Sequence, residues 1–234
     1  MDHDTKRTDP RAERAARNNA DWYQAMFEVH GLGFERSDVA FRAVDRTPAY
    51  HSALTVQSPD AGADVERLVE SMSTRDGFTV KDSFRALDLE RLSLVPFIEA
   101  SWIHRERPGA KAVDGWQRVT DDTELRRWEE AWSEGSPVAV EQFPPAILRR
   151  RDVALFGRTV DGRYDAGAIA NLSADCVGLS NVFGAGALEA AADLCADFGD
   201  GLPVVGYERG DSLREALSIG FDDVGRLRVC AVRR

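Results

Sequence analysis

Cysteine is scarce in this 234-residue chain: Cys176, Cys195 and Cys230 stand singly among apolar or small residues. An odd number without ligand spacing fits neither a disulfide framework nor a thiolate metal cluster, and reads as reduced core thiols rather than nucleophiles. Histidine is also sparse, with four scattered residues and no metal spacing, so no metal site is expected. No apolar run approaches the roughly 20 residues that cross a bilayer. The N-terminus MDHDTKRTDPRAERAARNN is charged and lacks the apolar segment of a secretory signal. A cytoplasmic protein without a membrane partner is the expectation. Positive charge is in deficit as well. Thirty Lys and Arg against 40 Asp and Glu leave a net charge of -10, whereas binding to a phosphate backbone rests on a basic surface. Nucleic acid is therefore not expected as the main partner.

What the chain does have is 43% hydrophobic residues, ample for a packed core in one large domain or two small ones. Residues 1–18 are polar and poor in large apolar groups, which predicts a flexible tail or a poorly fixed helix. Trp22, Met26 and Val29 then mark one face of a helix that stops near Gly31. Strands are predicted over 39–44 and 52–56, a helix over 63–72, a strand from Phe78, a helix over 83–92, and a strand over 94–103 whose Pro96 suggests an edge or bulge. Residues 105–111 read as a linker. A second series starts at Trp116. Thr120-Asp121-Asp122-Thr123-Glu124 signals a helix start, with Leu125, Trp128 and Trp132 as its apolar stripe. Asp161-Gly162 between apolar runs is a strong hairpin signal, and 153–160, 166–172 and 177–183 make a three-stranded antiparallel meander. After a helix to about Phe198 come a strand over 202–208, a helix over 212–218 and a last strand over 227–232. Lys81-Asp82-Ser83-Phe84-Arg85-Ala86-Leu87 parallels Gly210-Asp211-Ser212-Leu213-Arg214-Glu215-Ala216-Leu217, a short internal likeness that suggests duplication.

The most informative stretch is SNVFGAGALEAAA, Ser180 to Ala192, where a glycine pair joins a strand to an alanine-rich helix. Glycines let backbone N–H groups approach an anion, and a helix N-terminus adds a favourable dipole. A tight turn with close helix–sheet contact explains the same residues, so both readings stand at this point.

Taken with the order of elements around it, the second half resembles the GNAT acetyltransferase superfamily. Asn181-Val182-Phe183-Gly184-Ala185-Gly186 occupies the place of the family's pyrophosphate loop, and Asp211 to Gly220-Phe221 resembles its late helix. The resemblance implies an α/β (α+β) fold with a mixed, mostly antiparallel sheet flanked by helices. It divides the chain into a tail, 1–18, a degenerate GNAT-like half, 19–112, and an acyl-coenzyme A-binding half, 113–234. Acetyl-coenzyme A, or another acyl-coenzyme A, is the implied co-substrate. Val182, Phe183, Gly184, Ala185, Gly186 and Ala187 are its implied contacts, and a bulge near Asn181 would aim an amide at the thioester carbonyl. The implied reaction is direct N-acetyl transfer to an amine of a small molecule or peptide. A homodimer is compatible with it.

Two positions depart from the family pattern. Asn181 stands where Gln or Arg is usual, and Ala216 where many members carry a tyrosine acid. They support a second expectation, a catalytically degenerate GNAT-like module that binds a small molecule or protein. Glu208 is the candidate base, against the reading of a solvated strand-end carboxylate. Tyr207 is a second proton-transfer candidate, against that of a core aromatic, and strand alternation lets at most one of the two face the cleft. Ser180 and Asn181 either meet substrate or satisfy the bulge. Glu99, Trp102 and the His104-Arg105-Glu106-Arg107 run either line a groove between the halves or form core and solvated edge.

Overall fold

Asp9 starts the first helix: its carboxylate accepts the amide of Arg11, and Pro10 takes the first helical position, where no N–H is needed. In this computed structural model, which describes residues 8–106, 113–134 and 141–233, helix α1 runs Pro10–Val29. Ala12, Ala15 and Ala16 are buried with Ala100, Trp102, Val205 and Leu227. The flexible tail expected over 1–18 is thus corrected for residues 10–18. Small side chains let the helix lie close on the sheet, so large apolar groups are not needed to order it. Residues 1–7 lie outside the described residues.

The elements that follow are β1 (Phe34–Arg36), β2 (Ala40–Ala43), β3 (Leu54–Val56), α2 (Gly62–Met72), β4 (Thr79–Asp82) and β5 (Leu94–Arg105). Then come β6 (Trp116–Arg118), α3 (Asp122–Trp132), a 3-10 turn (Pro145–Arg149), β7 (Val153–Val160), β8 (Arg163–Leu172) and β9 (Val177–Phe183). The chain ends with α4 (Ala187–Phe198), β10 (Val204–Glu208), α5 (Gly210–Ser218) and β11 (Asp222–Val232). The described strands form one sheet in the order β1-β2-β3-β4-β11-β5-β10-β9-β8-β7-β6. The meander β7-β8-β9 closes through Asp161 and Gly162, both at positive φ as a tight hairpin turn requires.

The helix predicted over 83–92 does not form. The Asp82 carboxylate accepts the amides of Ala86 and Leu87, and Asp88 accepts those of Glu90 and Arg91. Side-chain acceptors of this kind compete with the helical ladder and fix a series of turns instead. The predicted linker lies only partly outside the described residues: Arg105 belongs to β5. Pro96 sits at an irregularity in the β5–β11 register, on a stretch of β5 that β10 leaves unpaired.

Only two strand pairs are parallel within that mostly antiparallel sheet, and both are brief. Leu54 and Thr55 of β3 face Val80 and Lys81 of β4, and Val177 and Gly178 of β9 face Val204 and Val205 of β10. Beyond those contacts each pair diverges. Between them lie β11 and β5, so that β11 pairs with β4 and β5 pairs with β10. Each long strand closes the part of the sheet that precedes the other in sequence. That exchange brings the two divergence points to opposite sides of the same central strands.

Candidate functional site

Gly178 sets up the site. A Cβ there would lie 2.0 Å from Asn18 Oδ1, and in its absence α1 crosses β9 closely enough for a reciprocal pair. Asn18 Nδ2 donates to the Asn171 carbonyl at 3.1 Å, and Asn171 Nδ2 donates to the Asn18 carbonyl at 3.2 Å. The next turn of α1 then presents Asn19, Trp22 and Tyr23 over the divergence of β9 and β10. There a hollow of about 250 Å³ is walled by these residues together with Tyr50, His51, Gln142, Leu179 to Val182, Tyr207 and Glu208. Gly206 stands where the divergence begins: a Cβ on it would meet the Leu179 carbonyl at 2.8 Å.

Asn181 is bulged out of the β8–β9 ladder, where the register slips between Gly167↔Phe183 and Ile169↔Ser180. Its φ of 53° is in the left-handed region, uncommon for a residue other than glycine and a mark of local constraint. Its side-chain Nδ2 donates to Ser180 Oγ at 3.0 Å, so part of its polar capacity is used locally.

Glu208 borders the hollow, and no described residue donates a hydrogen bond to it. Burial, with the Glu215 carboxylate nearby, pushes its pKa up from 4.5 to about 7. Tyr207 also borders the hollow. The hollow lies along the edge of β10 that β9 leaves unpaired beyond Val205, while on the other edge Tyr207 and Glu208 stay paired with Trp102 and Ser101 of β5. The Tyr207 ring meets Trp102 edge to face at 5.6 Å and lies beneath the Lys81 ammonium at 4.3 Å.

The glycine turn divides the two readings between its glycines. Gly184, with φ of 94°, is a packing glycine: a Cβ would stand 2.3 Å from the Asp165 carbonyl. Gly186, with φ of 64°, caps α4 in open space with no side-chain hydrogen bond at the helix start. Gly184, Ala185 and Gly186 are exposed, whereas Ala187 is buried. The turn follows the bulge directly but does not border the hollow. The open helix start at Gly186 and the hollow that Asn181 and Glu208 border are thus neighbouring but separate features.

Other candidates fall elsewhere. Ala216 is fully buried in α5, so no acid occupies that place. Trp102 is core, its Nε1 donating to the Ser83 carbonyl at 2.8 Å. The His104–Arg107 run is neither groove nor solvated edge at its start. His104 is fully buried, and Arg105 is held by Asp193 at 2.6 Å, while Arg107 lies outside the described residues. Glu99 is paired with Arg85 away from the hollow. The cysteines are buried, and burial pushes Cys176 up to about 12 and Cys230 to about 11. Among the described residues no three His, Cys, Asp or Glu side chains group as metal ligands, and no helix is long and apolar enough to cross a membrane. Sequence reasoning missed Asn19, Tyr23, Lys81 and Gln142. They reach the site from segments distant in sequence and carry no local motif.

A second cavity, of about 760 Å³, opens where β3 and β4 diverge, and it shares Tyr23, Tyr50, His51 and Tyr207 with the first. It is walled partly by Phe78, Phe97 and Ile98, and Lys81 stands in its wall.

No protein-family model matches the chain, and no curated protein sequence matches it significantly. Solved structures do resemble it along nearly its whole length. A GCN5-related N-acetyltransferase from Kribbella flavida superposes with a TM-score of 0.61 at 12% identity, over 94% of this chain and 96% of that one. A GCN5-related N-acetyltransferase-like protein from Streptococcus suis gives 0.50 at 15% identity, over 96% and 99%. A functionally unknown conserved protein from Staphylococcus epidermidis gives 0.54 at 8%, over 84% and 91%. The fold is that of the GNAT acetyltransferases: a mixed, mostly antiparallel sheet flanked by helices.

Proposed function

We propose that the chain is an acyl-coenzyme A-dependent N-acetyltransferase acting on a small-molecule or peptide amine. The observation that carries this reading is that a bulged Asn181 and a desolvated Glu208 border one hollow where the parallel strands diverge, with an exposed, Gly186-capped helix start following on the strand that carries Asn181. Backbone amides at Gly184, Ala185, Gly186 and Ala187 would hold the pyrophosphate, where the helix dipole adds to their partial charges. Val182 and Phe183 precede them on the strand along which the pantetheine arm would lie. Acetyl-coenzyme A, when bound, supplies the acetyl thioester.

The remaining roles belong to this chain. A backbone amide at the Asn181 bulge would donate to the thioester carbonyl oxygen, a contribution of about 2.7 to 4 kcal/mol where such donors have been removed. Glu208, with its pKa near 7, is matched to taking a proton from the amine at neutral pH. In balance, a C–N bond forms and the C–S bond breaks, the amine proton goes to Glu208, and the thiolate leaves. A thiolate departs without strong acid help, so the absence of an acid at Ala216 does not forbid the reaction. Tyr207, which borders the same hollow, would return a proton to the sulfur.

A thermal-shift titration tests the reading. A ligand at 100 times its dissociation constant stabilises by about 2.7 kcal/mol. Acetyl-coenzyme A and its desulfo analogue should both raise Tm, and no shift at millimolar concentration would overturn the proposal. The second reading, a binding module that no longer handles the co-substrate, is favoured by Ala216 and by the local use of Asn181, and it expects that null titration.

A further inference from the structure

Charge is left over in the larger cavity. The deeply buried arginines of this fold are neutralised by carboxylates, Arg105 by Asp193 at 2.6 Å and Arg228 by Asp82 at 2.8 Å. Lys81 is buried just as deeply, at 1% exposure, and no described carboxylate reaches it. Its Nζ donates to Asn19 Oδ1 at 2.8 Å and lies 4.3 and 4.9 Å over the Tyr207 and Tyr23 rings. Burial opposes its charge, while the two tyrosines favour it, and the balance keeps the ammonium protonated. What answers this ammonium is one neutral acceptor and two tyrosines, where the buried arginines have a carboxylate.

A second group in the same wall is unpartnered. His51 is 9% exposed, its Nδ1 donates to the Ala49 carbonyl at 2.8 Å, and its buried Nε2 has no hydrogen-bond partner. With the proton on Nδ1, Nε2 carries the lone pair. Burial holds the ring neutral by pushing its pKa down to about 4. The wall thus offers one cation and one acceptor amid aromatic and aliphatic side chains. At about 760 Å³ the cavity is of the size that small-molecule ligands occupy. A second phosphate-bearing co-substrate fits it poorly. The turn into α2 reads Ser58-Pro59-Asp60-Ala61-Gly62, with a proline that has no N–H and a carboxylate that would repel a phosphate.

We infer that this cavity binds an amino carboxylate with an apolar body, its carboxylate on Lys81 and its amine N–H on His51 Nε2. Binding of such a ligand stands on this geometry alone. Its role as the acetyl acceptor rests on the acyltransferase reading, because His51 and Tyr207 also wall the hollow that Glu208 borders.

The test is protein-observed NMR titration of the full chain, without acetyl-coenzyme A, using L-phenylalanine, 6-aminohexanoate and 3-phenylpropanoate, each beside its carboxamide. At least one carboxylate should bind saturably and at least tenfold more tightly than its carboxamide, about 1.4 kcal/mol. Lys81→Met should abolish that preference while leaving the chain folded, because it replaces the ammonium with an apolar side chain of similar length. Lys81→Gln provides a second variant with the same expected loss. No binding by any carboxylate at about 10 mM, equal binding of acid and amide, or wild-type selectivity in either variant would overturn the inference. Failure here leaves the co-substrate titration untouched, and failure of that titration leaves this binding untouched.

Discussion

Glu208→Gln should make the protein more stable and, if the reaction proposed here is right, slower. The glutamate pKa is about 7 in the fold against 4.5 as its ordinary value. The folded state therefore binds the proton more tightly than the unfolded chain, and stability falls as pH rises from about 4.5 to about 7. At 1.36 kcal/mol per pKa unit, the carboxylate costs about 3 kcal/mol above pH 8, a ceiling because the side chain is only partly shielded from water. Near pH 5.5 the cost is about half that, and below pH 4 it vanishes. An amide of the same shape removes the charge and with it the cost. Urea denaturation of wild type and variant, followed by tryptophan fluorescence, should give curves that coincide near pH 4 and separate progressively up to pH 8. In amine acetylation the variant should lose about 10²- to 10⁴-fold in turnover, the usual worth of a positioned base. A stability difference that does not change with pH would refute the burial argument, and unchanged turnover would remove Glu208 as the base.

Other expectations follow from the same geometry. Gly178→Ala drives a Cβ against Asn18 and should lower stability by about 1–3 kcal/mol, as overpacking does, and displace α1 from the hollow; chemical denaturation and the amide shifts of Asn19 to Tyr23 would show it. Asp82→Asn breaks a buried pair with Arg228 and weakens the acceptor for Ala86 and Leu87, at a cost of about 3–5 kcal/mol that a urea midpoint would register. The native protein should leave Cys176, Cys195 and Cys230 unmodified by a thiol reagent that reacts with all three in urea, since each thiol is buried and held protonated.

What was legible in the sequence was local. The Asp161-Gly162 hairpin and the Asp121-started helix each depend on a few neighbouring residues, and each is found, whereas the bulge at Asn181 was expected only from the family resemblance. The helix expected over 83–92 failed because apolar spacing does not reveal that Asp82 and Asp88 turn their carboxylates onto backbone amides. The ordering of residues 10–18 was hidden because alanines gain their burial from a strand some 90 residues away in sequence. The exchange of β5 and β11, which sets the two cavities side by side, is a long-range pairing with no periodic signature. For the same reason Lys81 and His51 looked like ordinary strand and turn residues until the sheet brought them to one wall.

The central claim is that the Gly184–Ala187 turn receives the pyrophosphate of an acyl-coenzyme A. Ala185 is exposed and needs no special backbone, so Ala185→Glu adds a repelling carboxylate without straining the fold. Calorimetric titration of acetyl-coenzyme A should give saturable one-site binding to the wild type and at least tenfold weaker binding to this variant, with Tm unchanged. Equal affinity in the two proteins, or no heat of binding in either, would contradict the account.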